Sequence, residues 1–348
     1  MLFKNVCVEA VGYHLPENIV TSEALEKRMQ SLYQRLKLPF GRLEMMSGIR
    51  ERRFWREGIV PSQVASIAGE NAIRESGWDR SRIGCLISAS VCRDFLEPAT
   101  ASVVHDNLKL SGSSQVFDIS NACLGVLNGM IHVSNMIDCG QIEAGLIVAG
   151  ENGGPLVNNT IQGLVGNKEI TRASIKGSFA SLTIGSAAVA VLLVRRDLSK
   201  FGHRLKGGMA LAATEFNHLC RGNDDSGAGD NWSPTMATDS EKLMREGCAL
   251  AGKTWQATKE ILQWNNEDVD RVFCHQVGSM QRKLMYETVG LDPKKDFSSL
   301  ETLGNTGAAS LPVTLAIGNE QQPIKKGEKV ILLGIGSGLN CLMLGIDW

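Results

Sequence analysis

"DISNACLGVLNGM", residues 118–130, is the stretch on which the reading of this chain turns. An apolar pair, Val116 and Phe117, precedes it, and a run with helical spacing follows. Cys123 stands at the junction, with Gly125 and Gly129 in the first turns of the expected helix. A thiol in front of a helix meets unpaired backbone N–H groups and the positive end of the helix dipole. Both favour the thiolate, the reactive form of cysteine. The same N–H groups are placed to hold an oxyanion once sulfur has attacked a carbonyl. The two glycines would let the helix approach neighbouring backbone and leave space beside the sulfur. Taken alone, the position also fits a buried structural cysteine.

Outward from this turn, apolar strand-like runs alternate with longer helical patterns, an α/β signature. Residues 62–79, "SQVASIAGENAIRESGWD", read as a helix, and "IGCLISAS" (83–90) as the strand after it. Residues 245–276 repeat that order: an alanine-bearing helix, Trp264, a polar turn and the strand "RVFCHQ". The strand leading into Cys123 is echoed by "FSSLETLGNTGAASLPVTLAIG" (297–318), which is expected to pass through a strand–helix turn at Asn305. "EAGLIVAGENGG" (143–154) is echoed by "KVILLGIGSGLNCLMLGIDW" (329–348). One unit therefore occurs twice, and the expected division is 1–195 and 196–348. "LVGNKEITRASIKGS" (164–178) and "RGNDDSGAGDNWSPTMATDS" (221–240) are expected to be surface loops.

The second copy supplies what a nucleophilic cysteine needs. His275 closes its strand, and Asn305 sits in its turn, at positions where α/β sheets gather functional groups. A neutral imidazole and an amide both donate hydrogen bonds to a thioester oxygen or an enolate. Each alone also fits an ordinary structural histidine or a turn asparagine.

Composition narrows the classes. The chain has 348 residues, 43% hydrophobic and 21% charged, which suits a soluble globular protein with ample core. Its 36 basic and 37 acidic residues argue against nucleic acid as the main partner. The nine cysteines are odd in number and show no C-x-x-C spacing, so neither a disulfide framework nor a zinc site is expected. A reducing cytoplasm is the expected location. The first twenty residues lack the features of a secretory signal, and no run is apolar enough to span a membrane. His105, His132, His203 and His218 show no metal-ligand spacing. "GIGSG" (334–338) lacks the G-x-G-x-x-G spacing and leads into a strand, so no dinucleotide is expected there.

"DISNACLGVLNGM", "VFCHQV", "LGNTGAASLP" and "GIGSGLN" together resemble the landmark segments of the thiolase-fold condensing enzymes, in the ketoacyl synthase III branch. The likeness runs from about residue 3 to the C-terminus. It implies a five-layered αβαβα fold of two similar halves. It also implies that Cys123 accepts the acyl group, and that His275 and Asn305 hold the second substrate's carbonyl as its enolate forms. The backbone N–H groups of Cys123 and Ser337 would form the oxyanion hole. "SGIRERRFW" (47–55) is similar to the branch's segment at the entrance for the coenzyme A arm. Arg50, Arg52 and Arg53 would there meet phosphates, or else form a solvated face with Glu51.

Within the branch, "SVCRDFLEPATASVVHDNL" (90–108) resembles the OleA enzymes, which join two fatty acyl-CoA molecules head to head. Glu97 matches a glutamate that, in those enzymes, reaches the partner subunit's active site. An acyl donor without a malonyl carboxylate must lose an α-proton, and that requires a base. An apolar tunnel would raise the pKa of such a carboxylate towards a useful range. The residues alone also fit a surface glutamate before Pro98 at a helix start.

The expected function is thus a non-decarboxylative Claisen condensation of two fatty acyl-CoA molecules, giving a β-ketoacyl-CoA or β-keto acid for enzymes downstream in olefin biosynthesis. It implies a homodimer, coenzyme A thioesters as substrates, and neither a cofactor nor a metal. Two alternatives stand beside it. One is a decarboxylative ketoacyl synthase III using malonyl carrier protein. The other is a thioesterase, acyltransferase or acyl-binding homologue.

Overall fold

The computed structural model describes residues 1–222 and 234–348, so most of the 221–240 stretch lies outside the described residues. Nine strands form one mixed sheet. In chain order they are β1 (Val6–His14), β2 (Ile83–Ser88), β3 (Gln115–Asp118), β4 (Ala144–Glu151), β5 (Ala187–Arg195), β6 (His203–Ala212), β7 (Arg271–Cys274), β8 (Lys329–Gly336) and β9 (Asn340–Asp347). Their order in space is β7-β8-β9-β6-β1-β5-β4-β2-β3. At the middle joint β1 and β6 pair through Cys7 with Arg204 and Val8 with His203, and the segment ahead of β1 extends the joint by the bridge Leu2–Gly207 and by Phe3 N–H donating to Lys206 O (2.9 Å).

About that joint the two arms mirror each other. From the centre outwards the first runs β1, β5, β4, β2, β3 and the second β6, β9, β8, β7. The place matching β3 is held by one isolated bridge, Val272 to Asp296. The strand expected before Asn305 is therefore a correction. Leu300–Leu303 is a short helix, and Asn305 lies between it and a 3-10 turn at Gly307–Ala309. The other expected strands and helices form close to where the pattern put them. The expected loop 164–178 begins later, because 164–166 still belong to the helix Gly154–Gly166.

Six helices pack on the sheet: α1 (Pro61–Ser76), α2 (Thr100–Asn107), α3 (Gly125–Asp138), α4 (Ser240–Leu262), α5 (Ser279–Val289) and α6 (Ser310–Gln321). The strands alternate their side chains between two cores, as the pleat requires. Ala187, Val189, Val191 and Leu193 of β5 point into a cluster shared with α3 and α6. Ala188, Ala190, Leu192 and Val194 point the other way, onto α1 and α2. In the second arm, Val330, Leu332, Leu342 and Leu344 join the same central cluster. Ile331, Leu333, Cys341 and Met343 face α4 and α5. The layers thus run α1/α2, sheet arm, α3/α6, sheet arm, α4/α5. Central strands buried on both faces read as unbroken apolar runs, which is why β5 is "AAVAVLLVR".

A fourth cluster lies to one side. The short helices Ser22–Arg28, Gln30–Arg35 and Arg42–Ser47 bury Leu25, Leu32 and Leu43 with Val157 and Ile161 of Gly154–Gly166. Among the described residues no helix is long and apolar enough to cross a membrane.

Candidate active site

Strands β2, β3 and β4 are mutually parallel, as are β7 and β8. Their C-terminal ends carry the candidate groups, where α/β sheets open their crevices. β3 ends at Asp118 and leads to Cys123, β2 leads to the Glu97 loop, β7 to His275, and β8 to Ser337.

Cys123 occupies a tight turn. Leu124 N–H donates to the Asn121 carbonyl (2.9 Å), and Ala122 adopts a left-handed φ of 45°. α3 begins two residues after the sulfur. The flanking glycines answer a packing demand. A Cβ on Gly125 would lie 2.1 Å from the Ala89 carbonyl oxygen, and one on Gly129 would lie 2.7 Å from Ile147 Cγ2. The helix thus enters against the strand ends with no room for a side chain, and Cys123 is left half-buried.

The turn is tied to the far arm. Asn121 Nδ2 donates to Asn128 Oδ1 (2.8 Å), and Asn340 Nδ2 donates to both Asn121 Oδ1 and the Ser337 carbonyl (3.4 Å each). A Cβ on Gly336 would lie 3.6 Å from the Cys123 nitrogen. The structure therefore brings the Ser337 turn and Cys123 together. The expected thiolate is not what the resting site favours. Burial, then the Glu151 charge, then Cys220 push the Cys123 thiol up to about 12.

His275 is 2% exposed, and its N–H of the backbone donates to Leu333 (2.9 Å). Neither ring nitrogen has a hydrogen-bond partner among the described residues. A buried polar group left without partners is unusual and calls for a ligand or water. Burial pushes the imidazole down to about 4, so it is neutral at physiological pH and keeps one N–H to donate. Its neighbour Gln276 fixes the following loop. Gln276 Oε1 accepts from Ser299 and Leu300 N–H (3.1 and 2.9 Å), and Nε2 donates to Phe297 O (3.0 Å).

Asn305 is 9% exposed. Its backbone is pinned on both sides, by Thr183 O (3.0 Å) and by Gly185 N–H (2.9 Å). Its side-chain oxygen accepts from Gly307 N–H (3.0 Å), which fixes the orientation of the amide and leaves its NH2 end as the donor.

Glu97 stands apart from this group. It is exposed, on a loop with exposed Val91, Phe95 and Leu96. Both ends of that loop are held by carboxylates from strand ends. Asp118 accepts from Thr100 and Ala101 N–H (2.9 and 2.8 Å). Glu151 accepts from Val91 and Cys92 N–H (2.8 and 3.2 Å).

The arginines separate. Arg52 is 0% exposed, with Nη1 donating to Ser22 Oγ (3.0 Å) and Nη2 to Leu182 O (3.3 Å). It cannot meet a solvent-borne phosphate, and its expected contact with coenzyme A is corrected. Strand Glu51–Phe54 alternates, and its buried face takes Arg52. Arg53 is half-buried and donates to the Pro16 carbonyl (2.9 Å), whereas exposed Arg50 pairs with Glu301 (2.8 Å).

Glu151 is the group that sequence reading missed. It is 3% exposed at the end of β4, and it also accepts from Ala308 N–H (3.1 Å), three residues past Asn305. Burial raises its carboxyl above the usual range, and the N–H bonds partly offset this. The available signal was an acid closing an otherwise apolar strand, "AGLIVAGE". No cluster of three or more His, Cys, Asp or Glu able to hold a metal occurs among the described residues.

A profile described as 3-oxoacyl-[acyl-carrier-protein] synthase III C terminal matches residues 260–348. The acyl-CoA:acyl-CoA alkyltransferase of Shewanella oneidensis is 39% identical over the full length of both chains, and that of Xanthomonas campestris is 36% identical, also over both chains. A β-ketoacyl-[acyl-carrier-protein] synthase III from Ruegeria pomeroyi is 23% identical over 98% of each. The crystal structure of cerulenin-bound Xanthomonas campestris OleA superposes with a TM-score of 0.94 at 36% identity, covering 100% of this chain and 98% of that one. A cysteine-to-serine variant of that enzyme holds lauric acid and lauroyl-CoA, on the same fold at the same TM-score of 0.94. With full-length identity well above that of the carrier-protein synthases, the chain belongs to the OleA family of thiolase-fold condensing enzymes.

Proposed function

We propose that this protein joins two fatty acyl-CoA molecules head to head by a non-decarboxylative Claisen condensation. The observation that carries the reading is buried, neutral His275 with both ring nitrogens unpartnered among the described residues. Its family supplies the reaction class.

Cys123 Sγ attacks the thioester carbonyl of the first acyl-CoA. The oxyanion is held by the N–H groups of Cys123 and Ser337. The C–S bond to coenzyme A breaks, and the Cys123 proton leaves with the coenzyme as its free thiol. A second acyl-CoA then enters, and the partner subunit's Glu97 takes its α-proton. His275 and the Asn305 amide donate to the enolate oxygen. The α-carbon attacks the acyl-Cys123 carbonyl, the new C–C bond forms, sulfur departs as thiolate, and the proton that the partner's Glu97 took returns the thiolate to the thiol. The product is a β-ketoacyl-CoA, which water converts to a β-keto acid for downstream olefin-forming enzymes. The reaction takes its only coenzyme as substrate, with no metal. Arg50 and Arg53 flank the coenzyme arm.

This scheme needs a homodimer, and the exposed apolar side chains around Glu97 support one. It further assigns the nucleophile to a half ending at 195, the His/Asn pair to 196–348, and the enzyme to the cytoplasm.

The test is incubation with one long-chain acyl-CoA and no malonyl donor, followed by thiol release and product mass. A β-keto acid, or the ketone it becomes on losing CO2, is the expected product. Free fatty acid alone, or a stable acyl-Cys123, would overturn the reading. Glu97→Gln is expected to release one equivalent of coenzyme A per site, yet to form condensed product at least about a hundredfold more slowly. With malonyl carrier protein supplied as the second substrate, a condensation rate left unchanged by Glu97→Gln would point to a decarboxylative enzyme.

A further inference from the structure

Glu151 belongs to none of the steps above, yet it holds two of the loops they use. Its Oε1 accepts from Val91 N–H (2.8 Å) and Ala308 N–H (3.1 Å), and its Oε2 accepts from Cys92 N–H (3.2 Å). Val91 and Cys92 begin the loop that carries Glu97, and Ala308 follows Asn305. Gly307 is left-handed (φ 58°), and a Cβ there would lie 3.0 Å from the Glu151 carboxyl carbon. The Asn305 loop therefore closes directly onto this side chain. A carboxylate is acceptor-only, and three N–H donors from two separate loops match that valence.

We propose that Glu151 is a positioning residue: its buried carboxylate fastens the Glu97 loop to the Asn305 loop beside Cys123. The inference rests on the condensation reading for its catalytic consequence. Because Glu97 serves the partner's site while Asn305 serves its own, one carboxylate sets geometry in both sites of a dimer. It also acts on the nucleophile through space. Cys123 faces Glu151 from β4 and Cys220 from the strand Cys220–Gly222, while Glu151 itself faces Cys92 and Cys123. Both neighbours of the sulfur make the thiolate less favourable, which keeps the resting nucleophile protonated and unreactive towards stray electrophiles.

The experiment uses Glu151→Gln and Glu151→Asp in the full-length protein. Iodoacetamide labelling of Cys123 is followed by peptide mass across pH 7 to 11, and coenzyme A release and condensed product are measured on one acyl-CoA. Removing the charge is expected to move the Cys123 labelling curve to lower pH in Glu151→Gln, with labelling at pH 8 rising several-fold. Glu151→Asp keeps the charge but is one methylene short, so its labelling curve should stay with wild type. In both variants the ratio of condensed product to coenzyme A released should fall about tenfold or more. An unmoved curve in Glu151→Gln, or an unchanged ratio in both variants, overturns the proposal. Should wild type form no condensed product while the Glu151→Gln curve still shifts, the electrostatic part stands and the condensation reading falls. Should Glu151→Gln fail to fold, Glu151→Asp alone carries the ratio test.

Discussion

His275 shows how much of the chemistry resides in single side chains. Its imidazole is held at about 4 by burial, against 6.5 when exposed. Between these values the unfolded chain binds the proton and the folded chain does not, so stability rises with pH through this window. The contribution is complete above about pH 6.5 and is lost as the pH falls towards 4, on the order of 3 kcal/mol in all. Glu151 and Asp296, raised by burial, act in the opposite direction. The comparison that isolates the histidine is therefore wild type against His275→Gln. Urea unfolding at pH 7.5 and 4.5 should show wild type losing more stability on acidification than the variant. Equal losses would mean that His275 is protonated in the folded chain at pH 4.5.

At the scale of elements, glycine placement records which helices press on the sheet. Gly125 enters α3 against the Ala89 carbonyl, with 2.1 Å where a methyl would go. Gly163, in the helix Gly154–Gly166, has nothing within 4 Å of the same position. Gly125→Ala should destabilise by about 3 kcal/mol and displace the Cys123 turn. Gly163→Ala should stabilise by about 0.5–1 kcal/mol. Chemical denaturation of both checks the contrast, and like signs would mean that the contacts at Gly125 relax freely.

The elements were also the legible part of the chain. Two-sided strands such as β5 write themselves as apolar runs, and helix α1 opens at Pro61 and closes at left-handed Gly77. Cys123 and His275 were legible as positions just past strand ends, and Asn305 as a turn residue, although the element before it is a helix. The missing strand before Asn305 was not visible, since its place is filled by a single bridge at Asp296 that no local pattern marks. Arg52 misled because a charged residue in a polar run gives no hint of being buried. Glu151 escaped because its partners, Val91, Cys92 and Ala308, are remote in sequence and adjacent only after folding.

Over the whole molecule, the role proposed for the exposed Glu97 loop would make function a property of two chains. A mixture of Cys123→Ala and Glu97→Gln proteins, exchanged into hybrid dimers, should recover condensation that neither shows alone. Random pairing with one competent site per hybrid gives about a quarter of wild-type activity. Activity that stays at the level of the separate variants would place Glu97 in its own chain's reaction or in none.

The two arms of the sheet meet through Cys7–Arg204 and Val8–His203 and, ahead of β1, through the bridge Leu2–Gly207, while α3 and α6 lie in one core that draws on both arms. The arms are thus joined by backbone and side chains alike. Neither arm can bury its inner helix alone, so a chain severed near residue 195 leaves an aggregation-prone greasy face. Despite its duplicated plan, the protein should melt as a single cooperative unit, with duplication surviving in the architecture and erased from the energetics.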